Sequence, residues 1–123
     1  MAFEYEIDEA RELITARFSG RLTMDDWKFA RKVFADEVGK ETMDFLIEFR
    51  KGTTLKLSTK ELQVCGRALP VAKRFALVVA DEGCEAYARE TERTRGEDRA
   101  RVFASRGEAE DWLAKAVETE RAA

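Results

Sequence analysis

The segment Phe75-Ala76-Leu77-Val78-Val79-Ala80 carries apolar side chains at six consecutive positions, between Lys73-Arg74 and Asp81-Glu82. Apolar on both faces and bounded by charge, it predicts a central strand of a sheet. It is far too short to span a bilayer. The chain around it must supply the neighbouring strands and the layers that cover them.

Two further periods run through the sequence. Phe3-Glu4-Tyr5-Glu6-Ile7 alternates apolar and polar, and Leu13 to Phe18 alternates again through Ile14, Ala16 and Phe18. With the polar break Asp8–Arg11 between them, the pair predicts an antiparallel hairpin. Met43–Phe49 places Phe45, Ile47 and Phe49 on one face, and Arg101–Ala104 predicts a short last strand. Helical spacing appears between these strands. Thr23 precedes Asp25 and Asp26 as a helix cap. Leu22 and Trp27 fit a hydrophobic staple, and Trp27, Phe29, Ala30, Val33, Phe34 and Val38 form a stripe that stops at Gly39. A second helix is predicted over about Thr59–Leu69, ending near Pro70, and a charged third over about Cys84–Thr94. The last, about Arg106–Glu118, shows Ala109, Trp112, Leu113, Ala116 and Val117 on one stripe.

The chain therefore predicts an α/β fold, a mixed five-stranded sheet with an antiparallel N-terminal strand, the rest mainly parallel, and four main helices. Because three strands offer one apolar face each, the helices are expected to crowd one side. The other side, with Glu4, Glu6, Arg17 and Glu48, is expected to be more exposed. A length of 123 residues fits a single domain over 1–123.

Composition limits function. There is no histidine, which removes the commonest general base, the commonest zinc ligand and any Ser-His or Cys-His pair. No nucleophile-base pair, metal motif or cofactor fingerprint stands out, so no catalytic residue, metal or cofactor is assigned. A net charge of −3 gives nucleic acid no basic surface to bind. Cys65 and Cys84 lack metal or redox spacing and read as buried thiols. The start, MAFEYEIDEA, reads as neither signal nor transit peptide, and no segment reads as transmembrane. The expectation is a cytoplasmic protein, monomer or homodimer.

Gly20-Arg21-Leu22-Thr23, Arg74-Phe75-Ala76-Leu77-Val78-Val79, and Arg101-Val102-Phe103 followed by Glu108-Ala109-Glu110-Asp111-Trp112-Leu113 together resemble the STAS domain. The likeness is nearer to its stand-alone bacterial SpoIIAA-like branch, itself related to the lipid-binding Sec14 fold. The resemblance implies a non-catalytic binding module. Its partner would be a protein, as for anti-sigma-factor antagonists, or a small apolar or anionic ligand. It also implies a phosphorylated serine within "D-S-S-G" at the start of the second helix. Here that place reads Leu57-Ser58-Thr59-Lys60, without the aspartate or the glycine, and the phospho-switch is not expected to function.

Ser58-Thr59-Lys60-Glu61 is a capping box in its own right, so Ser58 reads as a cap before it reads as a phosphoacceptor. The loop before it follows a parallel strand and leads to a helix N-terminus, where open α/β sheets bind ligands. The candidate ligand or partner site is therefore Arg50, Lys51, Thr53, Thr54, Leu55, Leu57, Ser58, Thr59 and Lys60.

Overall fold

The computed structural model describes residues 2–26, 28–29, 32, 43–55, 58, 60–61 and 73–122. At its centre, β1 (Ala2–Asp8), β2 (Leu13–Ser19), β4 (Asp44–Phe49), β6 (Phe75–Val79) and β7 (Ala100–Phe103) form a five-stranded sheet in the order β1-β2-β4-β6-β7. The first pair is antiparallel and the others are parallel. This is the α/β class and mixed sheet that the residue periods predict, with the FALVVA segment as an interior strand. Two short strands, β3 (Arg21–Leu22) and β5 (Thr54–Leu55), pair in parallel beside it. Helices α1 (Glu85–Arg95) and α2 (Arg106–Ala122) are described in full. Residues 24–26, 28–29, 32 and 60–61 are helical where the first two helices are expected. Trp27, Ala30, Val33, Phe34, Val38 and Gly39 of the first stripe lie outside the described residues. So do Leu57, Thr59, Leu62–Leu69 with Cys65, and Pro70.

Local chemistry accounts for the turns. In the hairpin, Asp8 accepts the Arg11 amide at 3.1 Å, and Glu12 takes the left-handed conformation, φ 51°, that reverses the chain. At the first helix start the Thr23 amide donates to Asp26 at 2.9 Å and the Asp26 amide to Thr23 Oγ1 at 3.2 Å. That reciprocal pair is a capping box with Asp in the place of the usual Glu.

Alternation along the strands builds two cores. Ile14, Ala16, Phe18, Phe45, Ile47, Phe49, Phe75 and Leu77 face one way, beneath Cys84, Tyr87 and Ala88. Rings stack across strands there, Phe45 on Phe75 at 5.3 Å and Phe18 on Phe49 at 5.5 Å. Each fully buried Phe stabilises the fold by roughly 1.5–3 kcal/mol relative to exposure. On the opposite face Leu13, Leu46, Ala76 and Val78 meet Ala109 and Leu113 of α2. Helices thus cover both faces, which corrects the expectation of a single covered side. The physical reason is topological. A helix joining two parallel strands is held to one face by crossover handedness, whereas α2 follows the last strand and is free to cover the other.

Three residue-level expectations change with this packing. Phe29 is 59% exposed and does not extend the first helix's apolar stripe into the core. Trp112 is only half-buried, resting at 5.7 Å against Phe103 at the margin of the second core, while Ala109 and Leu113 are the buried pair. Arg17 and Glu48, expected on an open face, are about four-fifths covered, with side-chain exposures of 18% and 20%. Asp44 and Arg74 form an ion pair at 3.4 Å with 7% and 9% side-chain exposure, joining the amino ends of β4 and β6.

Candidate functional site

The site is built at the carboxyl ends of β4 and β6. As β4 ends, the Arg50 amide donates to the Phe18 carbonyl at 3.0 Å, and the Thr53 amide closes a turn on the Arg50 carbonyl at 3.0 Å. Gly52 supplies the positive φ of 84° that this turn requires. Beyond it, the Thr54 amide donates to Gly20 at 3.0 Å, and β5 pairs with β3.

Asp81, just past β6, fixes the turn from outside. One carboxylate oxygen accepts the Gly52 amide at 2.8 Å and the other accepts the Gly83 amide at 3.0 Å. Those two bonds, with Lys51 nearby, hold the Asp81 carboxyl below the usual carboxylate range. The approach is close. A Cβ on Gly83 would lie 2.1 Å from the Thr53 carbonyl oxygen, so only glycine lets the two loops meet. Cys84 donates its thiol to the same carbonyl at 3.6 Å. Burial, and then the Asp81 charge, push that thiol up to about 12, which keeps it protonated and inert as a nucleophile at neutral pH.

The candidate residues separate by role. Thr53 is 1% exposed and donates its hydroxyl to the Phe18 carbonyl at 3.0 Å, so its polar atoms serve the fold. Thr54 is held through strand pairing, as is the backbone of Leu55. Arg50 and Lys51 are exposed at the turn, and Arg50 reaches Glu4 at 3.6 Å. Ser58 and Lys60 are exposed at the helix start, while Leu57 and Thr59 lie outside the described residues. The capping box is closed both ways. The Glu61 amide donates to Ser58 Oγ at 3.2 Å, and the Ser58 amide to the Glu61 carboxylate at 3.0 Å. These bonds to Ser58, backbone before side chain, hold Glu61 below its ordinary range.

Asp81 and Gly83 were not among the residues singled out by sequence. Their signal is an Asp-x-Gly directly after a buried strand, the pattern of an aspartate that caps a turn. A second cleft, about 240 Å³, opens between the ends of β6 and β7 and is lined by Val79, Glu82, Glu85, Arg89, Val102 and Phe103. Its one guanidinium is held by Glu85 at 3.7 Å and by Glu92 at 3.4 Å. Among the described residues, no group of three or more Cys, Asp or Glu is placed to hold a metal ion. No described helix is long and apolar enough to cross a membrane. The chain matches no family model, no curated protein and no solved structure.

Proposed function

We propose that the chain is a non-catalytic binding module of the STAS type, cytoplasmic, which engages a partner protein through the Arg50–Thr53 turn and the helix start at Ser58. The observation that carries this reading is the state of Phe49. It is 1% exposed, and the rings of Phe18 at 5.5 Å and Tyr87 at 5.8 Å occupy the space beside it. A carrier of an apolar ligand in the Sec14 manner needs room at that place, whereas a protein surface needs a turn fixed in shape before it meets its partner. Asp81 supplies that fixation. The reading as a binding protein also draws on the chemistry at the turn. The sequence has no histidine, and Thr53 and Asp81 spend their polar atoms on backbone groups. The closed capping box favours Ser58 as a structural residue over a phosphate acceptor.

Native mass spectrometry of freshly purified protein tests the choice between partner and small ligand. A bare chain, together with a specific partner in pull-downs that is lost on Lys51→Glu, is the expected result. A stoichiometric small molecule retained on the chain would overturn the reading in favour of a carrier. Ser58→Asp adds a second check, because a partner kept by Ser58→Ala and lost on Ser58→Asp would restore the phospho-switch.

A further inference from the structure

The two ends of the sheet are treated differently by the sequence. At one end β7 is four residues long, and the Val102 amide is already donated to the Glu92 carboxylate of α1 at 2.9 Å. Arg101 turns back to the Glu97 carbonyl at 3.2 Å. One main-chain donor of that short edge is thus already taken by a neighbouring helix. At the other end β1 runs for seven residues, Ala2–Asp8, in unbroken register with β2 and with no bulge, proline or lysine. Bulge, proline and lysine are three of the devices that protect edge strands, and β1 uses none of these three, its charge being carried by Glu4, Glu6 and Asp8 instead. Among the described residues it pairs on one side only.

Its side chains add a pattern to that edge. Tyr5 and Ile7 point to one face of the sheet and are each 37% exposed. Glu4 and Glu6 point to the other, with side-chain exposures of 60% and 72%. Arg17, which lies near both at 4.0 and 3.7 Å, sits on the inner neighbour strand and is mostly covered. A strand added outside β1 would therefore meet Glu6 with the Arg17 guanidinium behind it, and Glu4 shared between Arg17 and the exposed Arg50 at 3.6 Å. Along the same face a groove of about 650 Å³ gives room for side chains, lined by the carboxylates Glu6, Asp8 and Glu9, by Thr15, and by the guanidinium groups of Arg11 and Arg106.

We infer that β1 is a docking edge for an extended segment of a partner protein, one that alternates basic and apolar side chains and adds to the sheet as a sixth strand. Main-chain bonds to β1 would hold it, basic residues would lie opposite Glu4 and Glu6, and apolar residues opposite Tyr5 and Ile7. Charge argues against a second copy of the chain as the occupant. In any antiparallel register that pairs four or more residues of β1 and keeps the acidic faces together, Glu4 or Glu6 meets Glu4, Glu6 or Asp8 of the copy, and like charges directly opposite are unfavourable. This surface adjoins the proposed turn, where Arg50 reaches Glu4 at 3.6 Å, but the argument from the strand edge does not depend on the role proposed there.

The test uses the wild-type chain, labelled with nitrogen-15, and two synthetic probes of roughly eight residues, one alternating lysine and valine, the other glutamate and valine. Amide shifts and hydrogen exchange are followed during titration at low salt. The expected result is shifts and added protection within residues 2–8 on the lysine peptide alone, with at least about tenfold discrimination over the glutamate peptide. Glu6→Gln, which keeps the side-chain shape, should narrow that discrimination. In the peptide titrations, three outcomes overturn the inference. These are no binding of the lysine peptide at millimolar concentration, equal binding of both, or shifts centred away from β1. Concentration-dependent shifts in β1 without any peptide would equally overturn it, in favour of a second copy.

Discussion

At the scale of single residues, the capping box at Ser58 and the carboxylate at Asp81 do the same kind of work by different routes. Each satisfies backbone amides that would otherwise have no partner at the start of a helix or a turn. The first was legible, because Ser-x-x-Glu is a local pattern whose partners lie three positions apart. The second was not, since Gly52 and Asp81 are 29 positions apart and neither residue type announces the other. Two outcomes follow from these bonds. Ser58→Ala removes the acceptor of the Glu61 amide and should lower stability by roughly 0.5–2 kcal/mol in urea melts, while Ser58→Asp should be nearly neutral. Asp81→Ala should leave β4 itself protected and selectively speed exchange of the Gly52 amide. If the Gly52 amide exchanges at the wild-type rate, the carboxylate is not what fixes the turn.

Between elements, contact geometry decides more than pattern. The last helix shows its apolar stripe in the sequence, and Ala109, Trp112 and Leu113 of that stripe do pack on the sheet, but a stripe does not say which face of a sheet it will meet. Nor does it say which of its residues lie deepest. Leu113 is 5% exposed and Ala109 wholly buried, while Trp112 lies at the margin beside Phe103. Leu113→Ala should therefore destabilise by about 2–5 kcal/mol, and Trp112→Ala by less than a fully buried Trp would. The reverse order in denaturant melts would mean that α2 docks through its indole. The β3–β5 pairing was illegible for another reason: two residues per strand carry no period. It exists because the loops after β2 and β4 are drawn together, and Gly83 shows how tightly the loop after β6 joins them. Gly83→Ala must push apart two backbones that now approach within van der Waals contact, at about 1–3 kcal/mol. The succession of the five main strands along the chain, by contrast, was legible almost throughout. Buried strands must alternate or run apolar, and parallel neighbours must be separated by enough chain to cross back.

For the whole molecule, the displaced titrations combine into a stability profile that the missing histidine makes simple. The folded values of Asp81 and Glu61 lie below their ordinary ones, so the unfolded chain takes up protons first as the medium is acidified. Their contribution is full above the ordinary carboxylate values of about 4 and is lost as pH falls through the lowered folded values. Cys84 acts with the opposite sign. Its folded value is raised to about 12. The unfolded thiol ionises near 8.5, so its contribution is full below about pH 8.5 and is lost as pH rises from there toward the folded value. Between these limbs no imidazole titrates, because the chain has none. Urea midpoints should accordingly be level from about pH 5.5 to 8 and fall on either side. The limbs can be separated by substitution. Cys84→Ala should flatten the alkaline decline and leave the acid one in place, at some loss of stability at every pH from the deleted sulfur. Asp81→Asn should reduce the acid decline to the part that Glu61 carries, since an amide cannot be protonated in the acid range, and should bring the alkaline decline to lower pH by removing the charge that helps raise Cys84. An alkaline decline that survives Cys84→Ala would show that the buried thiol is not its source, and a step between about pH 6 and 7 would have to come from a group other than the displaced ones among the described residues.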